Sequence, residues 1–171
     1  MSFQPEFWLR GPIEGIEPVL MPAAHAFLQT LEDAERWTEG LTDDQVWLAP
    51  DGAASVGFHL MHLAGSTDRL LTYARGATLD AAQKAALAAE KDPPRNGRAA
   101  LLAELRKAID AALAQIKSTP PASVFDARAV GRAALPTTVI GLIFHAAEHS
   151  QRHAGQIVTT AKVVRSIADR S

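Results

Sequence analysis

The sequence predicts an all-α fold: a four-helix bundle with short extra helices in its connections. Three observations carry this. Four long stretches place apolar residues three and four positions apart, the spacing that lines one face of a helix. Each is bounded by proline, glycine or a helix-capping residue. No stretch offers two strands that would pair. The chain has 171 residues, 47% of them hydrophobic, which is one domain of ordinary size with enough apolar side chains for a core. Residues 1–171 are therefore read as a single domain with an irregular arm over 1–21.

In that arm Pro5, Gly11, Pro12, Gly15 and Pro18 recur too often for a long helix. A short helical piece near Ile13–Leu20 is allowed, and Trp8, Leu9 and Ile13 are expected to pack on the main body. The first long helix starts at about Pro22, since proline suits the first helical position, and ends at Gly40. His25, in its first turn, reads as a surface or boundary residue. In Leu41-Thr42-Asp43-Asp44-Gln45-Val46-Trp47, Thr42 with Gln45 fits a capping box and Leu41 with Val46 a hydrophobic staple. The second long helix takes Ser55 as N-cap, carries His59 and His62, and runs to Arg75 before Gly76. The alanine-rich stretch 77–92 is helix-prone, with Asp80 and Gln83 as a second capping pair. The third long helix spans about Arg98 to Lys117, with Leu102, Leu105, Ile109, Ala112, Leu113 and Ile116 as its apolar stripe. Residues 122–136 connect it to the fourth, which starts near Thr137 and runs to about Ile167. Val124-Phe125-Asp126 is compatible with a short extended piece, for which no partner strand is evident.

Composition excludes several function classes. The formal net charge is −2 and the pI about 6.3, without the basic footprint of a nucleic-acid binder. There is no cysteine, which removes disulfides, thiolate catalysis and cysteine-ligated zinc. No run approaches the roughly 20 apolar residues of a membrane span, and the first residues lack the order of a signal peptide. The expectation is a cytoplasmic protein.

The chemistry concentrates in Phe144-His145-Ala146-Ala147-Glu148-His149-Ser150-Gln151-Arg152-His153-Ala154-Gly155-Gln156, which holds three of the six histidines. A helix turns about 100° per residue, so side chains four apart stack on one face. Leu142, Ala146, His149, His153, Gln156 and Thr160 share one stripe that begins apolar, so His149 and His153 should point inward. A buried imidazole needs partners for both nitrogens. A metal on one and a hydrogen bond on the other provides them. The further ligand comes from Phe58-His59-Leu60-Met61-His62-Leu63-Ala64-Gly65. His59 shares a face with Val56, Leu63 and Leu70; His62 shares one with Phe58, Gly65, Ser66 and Tyr73. Gly65 and Ser66 would leave room beside His62, which favours it slightly without deciding. His145-Ala146-Ala147-Glu148-His149 also matches the H-x-x-E-H pattern of inverted zinc peptidases. That site needs a carboxylate well downstream, and the sole acid in the 22 residues after His149 is Asp169.

Three segments together resemble the DinB/YfiT-like superfamily of small metal-binding four-helix bundles: Gly40-Leu41-Thr42-Asp43-Asp44-Gln45-Val46-Trp47, Ser55 to Ser66, and Glu148 to Gln156. The resemblance runs from about Ala24 to Thr160. It implies an up-down-down-up bundle, and a site pairing a histidine before Leu-Ala-Gly with H-x-x-x-H-x-G-Q. Carried over, its ligands are His62, His149 and His153. Where the family often has arginine directly after the last ligand, this chain has Ala154, with Arg152 on the other side.

Three imidazoles leave a coordination position open, as in catalytic zinc sites. Such donors suit one divalent transition metal, zinc or nickel first, iron or cobalt next. An open metal activates water for hydrolysis or holds a thiolate. The resemblance implies either a hydrolase or a transferase that uses a low-molecular-weight thiol, on a small molecule the sequence does not name. Glu148, Gln156 and Tyr73 are the candidate catalytic groups. The alternative is a non-catalytic metal-binding or stress-associated bundle, because no acid–base pair stands beside the triad. A homodimer is expected, with 77–92 and the long fourth helix as available surfaces.

Overall fold

A computed structural model describes residues 4–170. Its elements are α1 (Met21–Thr38), α2 (Asp43–Trp47), α3 (Val56–Ala74), α4 (Ala81–Ala89), α5 (Arg98–Ser118), a hairpin of β1 (Ala127–Val130) and β2 (Leu135–Thr138), and α6 (Val139–Ala168). The first three residues of the arm lie outside the described part.

Local chemistry sets the helix starts. The Thr42 hydroxyl accepts from the Gln45 N–H while the Gln45 side chain accepts from the Thr42 N–H, closing the expected box at α2. Asp80 and Gln83 do the same at α4. Ser55 Oγ accepts from the Phe58 N–H at 3.1 Å to open α3, and Thr138 Oγ1 accepts from the Gly141 N–H at 3.1 Å to open α6. Each satisfies a backbone donor that the first helical turn cannot.

Polar ties between helices reveal the bundle's direction. Gln151 on α6 donates to the Ala26 carbonyl of α1 at 2.7 Å. Fourteen residues later, Arg165 donates to the carbonyls of Trp37 and Glu39 at the end of α1. Helices α1 and α6 are therefore parallel. Trp47, at the end of α2 with its ring against Gly57 at the start of α3, donates to the Asn96 carbonyl just before α5, and Gln115 near the end of α5 donates to the Leu71 carbonyl near the end of α3. These two are also parallel. Arg106 in mid-α5 meets Glu35 near the end of α1, while Lys117 at the end of α5 lies against Gly15, before α1 begins, so α1 and α5 run oppositely. The bundle is up-down-down-up. Each long helix buries one stripe around a core that includes Phe27, Leu60, Leu63, Ile109, Ile143 and Ile157.

Some expectations need correction. The arm contains no helix over 13–20; positive φ at Gly15 (+79°) and Pro18 interrupt it, and a single 3-10 turn forms earlier, at Phe7–Leu9. Ile13 packs on the core, but Trp8 and Leu9 are 63% and 58% exposed. The arm is instead tied down by Arg10, which pairs with Glu32 of α1 and lies over the Phe7 ring. On α5 the buried stripe includes Leu101, with Leu102 and Leu113 half-buried. The connection after α5 holds two strands where at most one short extended piece was expected. Ala127–Val130 pairs antiparallel with Leu135–Thr138, and the intervening loop ends on Ala134 at φ +50°. Pro136 sits opposite Ala129, in a two-stranded ribbon where a missing N–H is tolerated because every strand is an edge.

Candidate metal centre

The His-bearing faces of α3 and α6 meet antiparallel: His59 lies against His153, and His62 against His149. The ligand atoms of His62, His149 and His153 all fall within 4.8 Å of one another, the one group of metal-ligating side chains of this kind among the described residues. His62 Nε2 and His149 Nε2 are 2.9 Å apart. Two nitrogens at about 2.0–2.1 Å from a tetrahedral ion stand roughly 3.3 Å apart, so a small side-chain adjustment would admit one.

The electrostatics agree with such a use. Burial, then the neighbouring His62, pushes His59 down to about 4. Burial, followed by His149 and His62, pushes His153 down to about 4. Burial and the same crowding of imidazoles lower His149. A metal ligand must present a neutral imidazole, and these surroundings disfavour the charged form.

The outer nitrogens of His62 and His153 are also engaged. His62 Nδ1 lies 2.8 Å from Glu90 Oε2, and Glu90 Oε1 accepts from Arg69 Nη2 at 2.7 Å. His153 Nδ1 lies 2.9 Å from His59 Nδ1. Phe58 stacks on the His62 ring, centroids 5.6 Å apart and 11° from parallel. Metal-binding histidines characteristically hold their second nitrogen in this way. The donor set therefore fits a divalent transition metal, with Nε2 of His62 and of His153 left for it.

Of the two α3 histidines, His62 joins the triad and His59 stands behind His153, 3% exposed. Sequence reasoning missed Glu90 and Arg69. The available signal was slight: Glu90 is the only acid between Asp80 and Asp92. The space expected beside Gly65 is taken, because a Cβ there would lie 2.7 Å from Arg69 Nη1. His145 turns to solvent and bonds Glu148 at 2.9 Å, so the H-x-x-E-H pattern does not converge. Glu148 is gripped by Arg152 at 2.5 and 2.7 Å; those bonds hold its carboxyl below the usual range. Tyr73 and Ser66 line a cleft of about 280 Å³ with Leu70, Leu79, Leu87 and His149. Gln156 is exposed and lines a different hollow, of about 390 Å³, beside His59 and Thr160.

Among the described residues, no helix is long and apolar enough to cross a membrane. No curated protein matches the sequence. Among solved structures the chain is similar to YfiT from Bacillus subtilis, described as a probable metal-dependent hydrolase with an unusual four-helix bundle topology. The TM-score is 0.64 at 18% identity, covering 89% of this chain and 91% of that one. At that identity the likeness shows the fold. The DinB superfamily profile matches residues 26–157, most of the chain and every histidine of the cluster, and the protein belongs to the DinB superfamily.

Proposed function

We propose that this protein is a metal-dependent enzyme acting on a small molecule, with His62, His149 and His153 holding one divalent transition metal, zinc or nickel first. The observation that supports this best is the convergence of three imidazoles within 4.8 Å beside a cleft. A metal so held would supply a Lewis acid able to activate water or a thiol. The chain's own groups do the rest. Leu70, Leu79 and Leu87 offer apolar surface to the substrate. The hydroxyls of Tyr73 and Ser66 offer hydrogen bonds, and His149 forms the wall shared with the triad. Hydrolysis is favoured over thiol-dependent transfer by the description of the YfiT relative. The homodimer belongs to the same proposal.

A second reading, a non-catalytic metal-binding bundle, draws on one observation. The carboxylates nearest the triad, Glu90 and Glu148, are both committed to arginines, which leaves the general base unassigned.

The test is metal content per chain on untagged protein beside His62→Ala and His153→Ala, followed by a panel of ester, amide and thiol-transfer substrates. About one metal in wild type, absent from both variants, is expected. Turnover that His153→Ala abolishes supports the enzyme; equal rates in both proteins sink the site. Metal without turnover, and no azide or thiol binding in the cobalt-substituted spectrum, moves the reading to the non-catalytic bundle.

A further inference from the structure

We infer that Glu90 is a positioning residue of the metal centre: oriented by Arg69, its carboxylate holds His62 in the tautomer that leaves Nε2 free for the metal. The inference rests on the metal-centre reading above.

A neutral imidazole has one N–H and one lone pair, and its hydrogen-bond partner decides which nitrogen carries which. Glu90 Oε2 stands 2.8 Å from His62 Nδ1. An ion-paired carboxylate only accepts, so Nδ1 must donate. The lone pair is then left on Nε2, the nitrogen that faces His149 Nε2. Arg69 takes the other carboxylate oxygen at 2.7 Å, which fixes the plane of the group and satisfies its charge.

The placement is specific. Glu90 caps the C-terminal end of α4, and no residue of Ala81–Ala89 is buried. Apolar packing, limited there to Leu87 at 44% exposure, therefore does not by itself explain why α4 lies where it does. Polar bonds do: Gln83 Nε2 donates to Asp68 Oδ2 and Thr72 Oγ1, both at 2.7 Å, at one end. Glu90 with Arg69 and His62 serves at the other. Gly65 leaves the space for that second group, since a Cβ there would meet Arg69 Nη1 at 2.7 Å and Glu90 Oε1 at 3.4 Å. A simple clamp on α4 would need Arg69 alone. The second oxygen goes to a histidine of the triad.

Two measurements on the whole protein separate positioning from clamping. Long-range proton–nitrogen spectra of metal-free, histidine-labelled protein read the tautomer directly, with His62→Gln assigning the signals. Wild type should show His62 protonated at Nδ1; Glu90→Ala should lose that preference; Glu90→Gln, which keeps an acceptor oxygen, should retain part of it. Zinc affinity by competition with a chromophoric chelator should fall about 10- to 100-fold in Glu90→Ala, and less in Glu90→Gln. Gln83→Ala loosens the other end of α4 without touching His62, and should leave zinc affinity within about twofold. The inference is overturned if Glu90→Ala matches wild type in tautomer and affinity, or if Gln83→Ala weakens zinc as much as Glu90→Ala does. Wild-type protein that binds no zinc overturns the metal-centre reading itself, and this inference with it.

Discussion

Acid should strip stability from the metal-free protein between pH 6.5 and 4, with His59 carrying a measurable part of the loss. His59 is 3% exposed, and burial beside His62 brings it from 6.5 to about 4. The folded-state value lies below the unfolded one. Above pH 6.5 both states keep the imidazole neutral and stability is flat in this group. Below it the unfolded chain binds a proton that the folded chain refuses, so folding weakens as pH falls toward 4. One such proton changes stability by about 1.4 kcal/mol per pH unit, and crossing the whole window costs about 3 kcal/mol. That is a large share of the 5–15 kcal/mol of a typical domain. His153, also held near 4, acts in the same direction. Urea unfolding followed by circular dichroism, in chelator, at pH 7.5, 6.5, 5.5 and 5.0, gives the slope. His59→Gln removes one titrating group and should lower that slope by up to about 1.4 kcal/mol per pH unit. A wild-type slope near zero, or identical slopes in the two proteins, refutes the assignment of His59 as a buried neutral imidazole.

Other consequences follow from the same geometry. Gly57→Ala should destabilise the protein, because the new Cβ would sit 2.7 Å from the Trp47 ring. Overpacking of about 1–3 kcal/mol outweighs the roughly 1 kcal/mol gained in helix propensity, and a raised melting temperature would contradict this. Thr138→Ala removes the cap of α6 and should cost about 1 kcal/mol, seen as a Tm lower by about 2–4 °C. Zinc at 100 times its Kd should stabilise the wild type by about 2.7 kcal/mol, and His149→Ala should abolish that gain; an undiminished gain puts the ion elsewhere. Glu148→Gln should leave metal content unchanged, since its carboxylate is held by Arg152 and His145. Loss of metal in that variant would return Glu148 to the site.

What was legible in the sequence follows the range of the interactions involved. The caps at Thr42, Ser55 and Asp80 were readable because each closes its bonds within three residues. The long helices were readable because amphipathic spacing repeats over several turns. The hairpin was not. Its strands are four residues each, mostly alanine, arginine and threonine with Pro136, and its pairing depends on a turn through Ala134 at positive φ, a conformation alanine seldom announces. The exposure of Trp8 and Leu9 was equally hidden, because an isolated aromatic carries no period from which to infer a face.

The site shows the same division. His149 and His153 are four apart on one helix, so their convergence is a property of α6 alone. His59 and His62 are three apart on α3, which puts them only about 60° from each other. Both then face α6, and periodicity cannot rank them. What ranks them is the partner each finds across space. His59 reaches His153 from behind, while His62 sits between His149 and Glu90. The residue that distinguishes them lies 28 positions from His62, at the end of a helix with no buried face, where neither spacing nor hydrophobicity marks it. The two α3 histidines therefore predict opposite losses. His59→Gln, whose amide can still hydrogen-bond His153 Nδ1, should keep zinc and lower the pH dependence of stability; His62→Gln should lose zinc. A variant pair in which both lost zinc equally would place His59 among the ligands and undo the ordering drawn from these contacts.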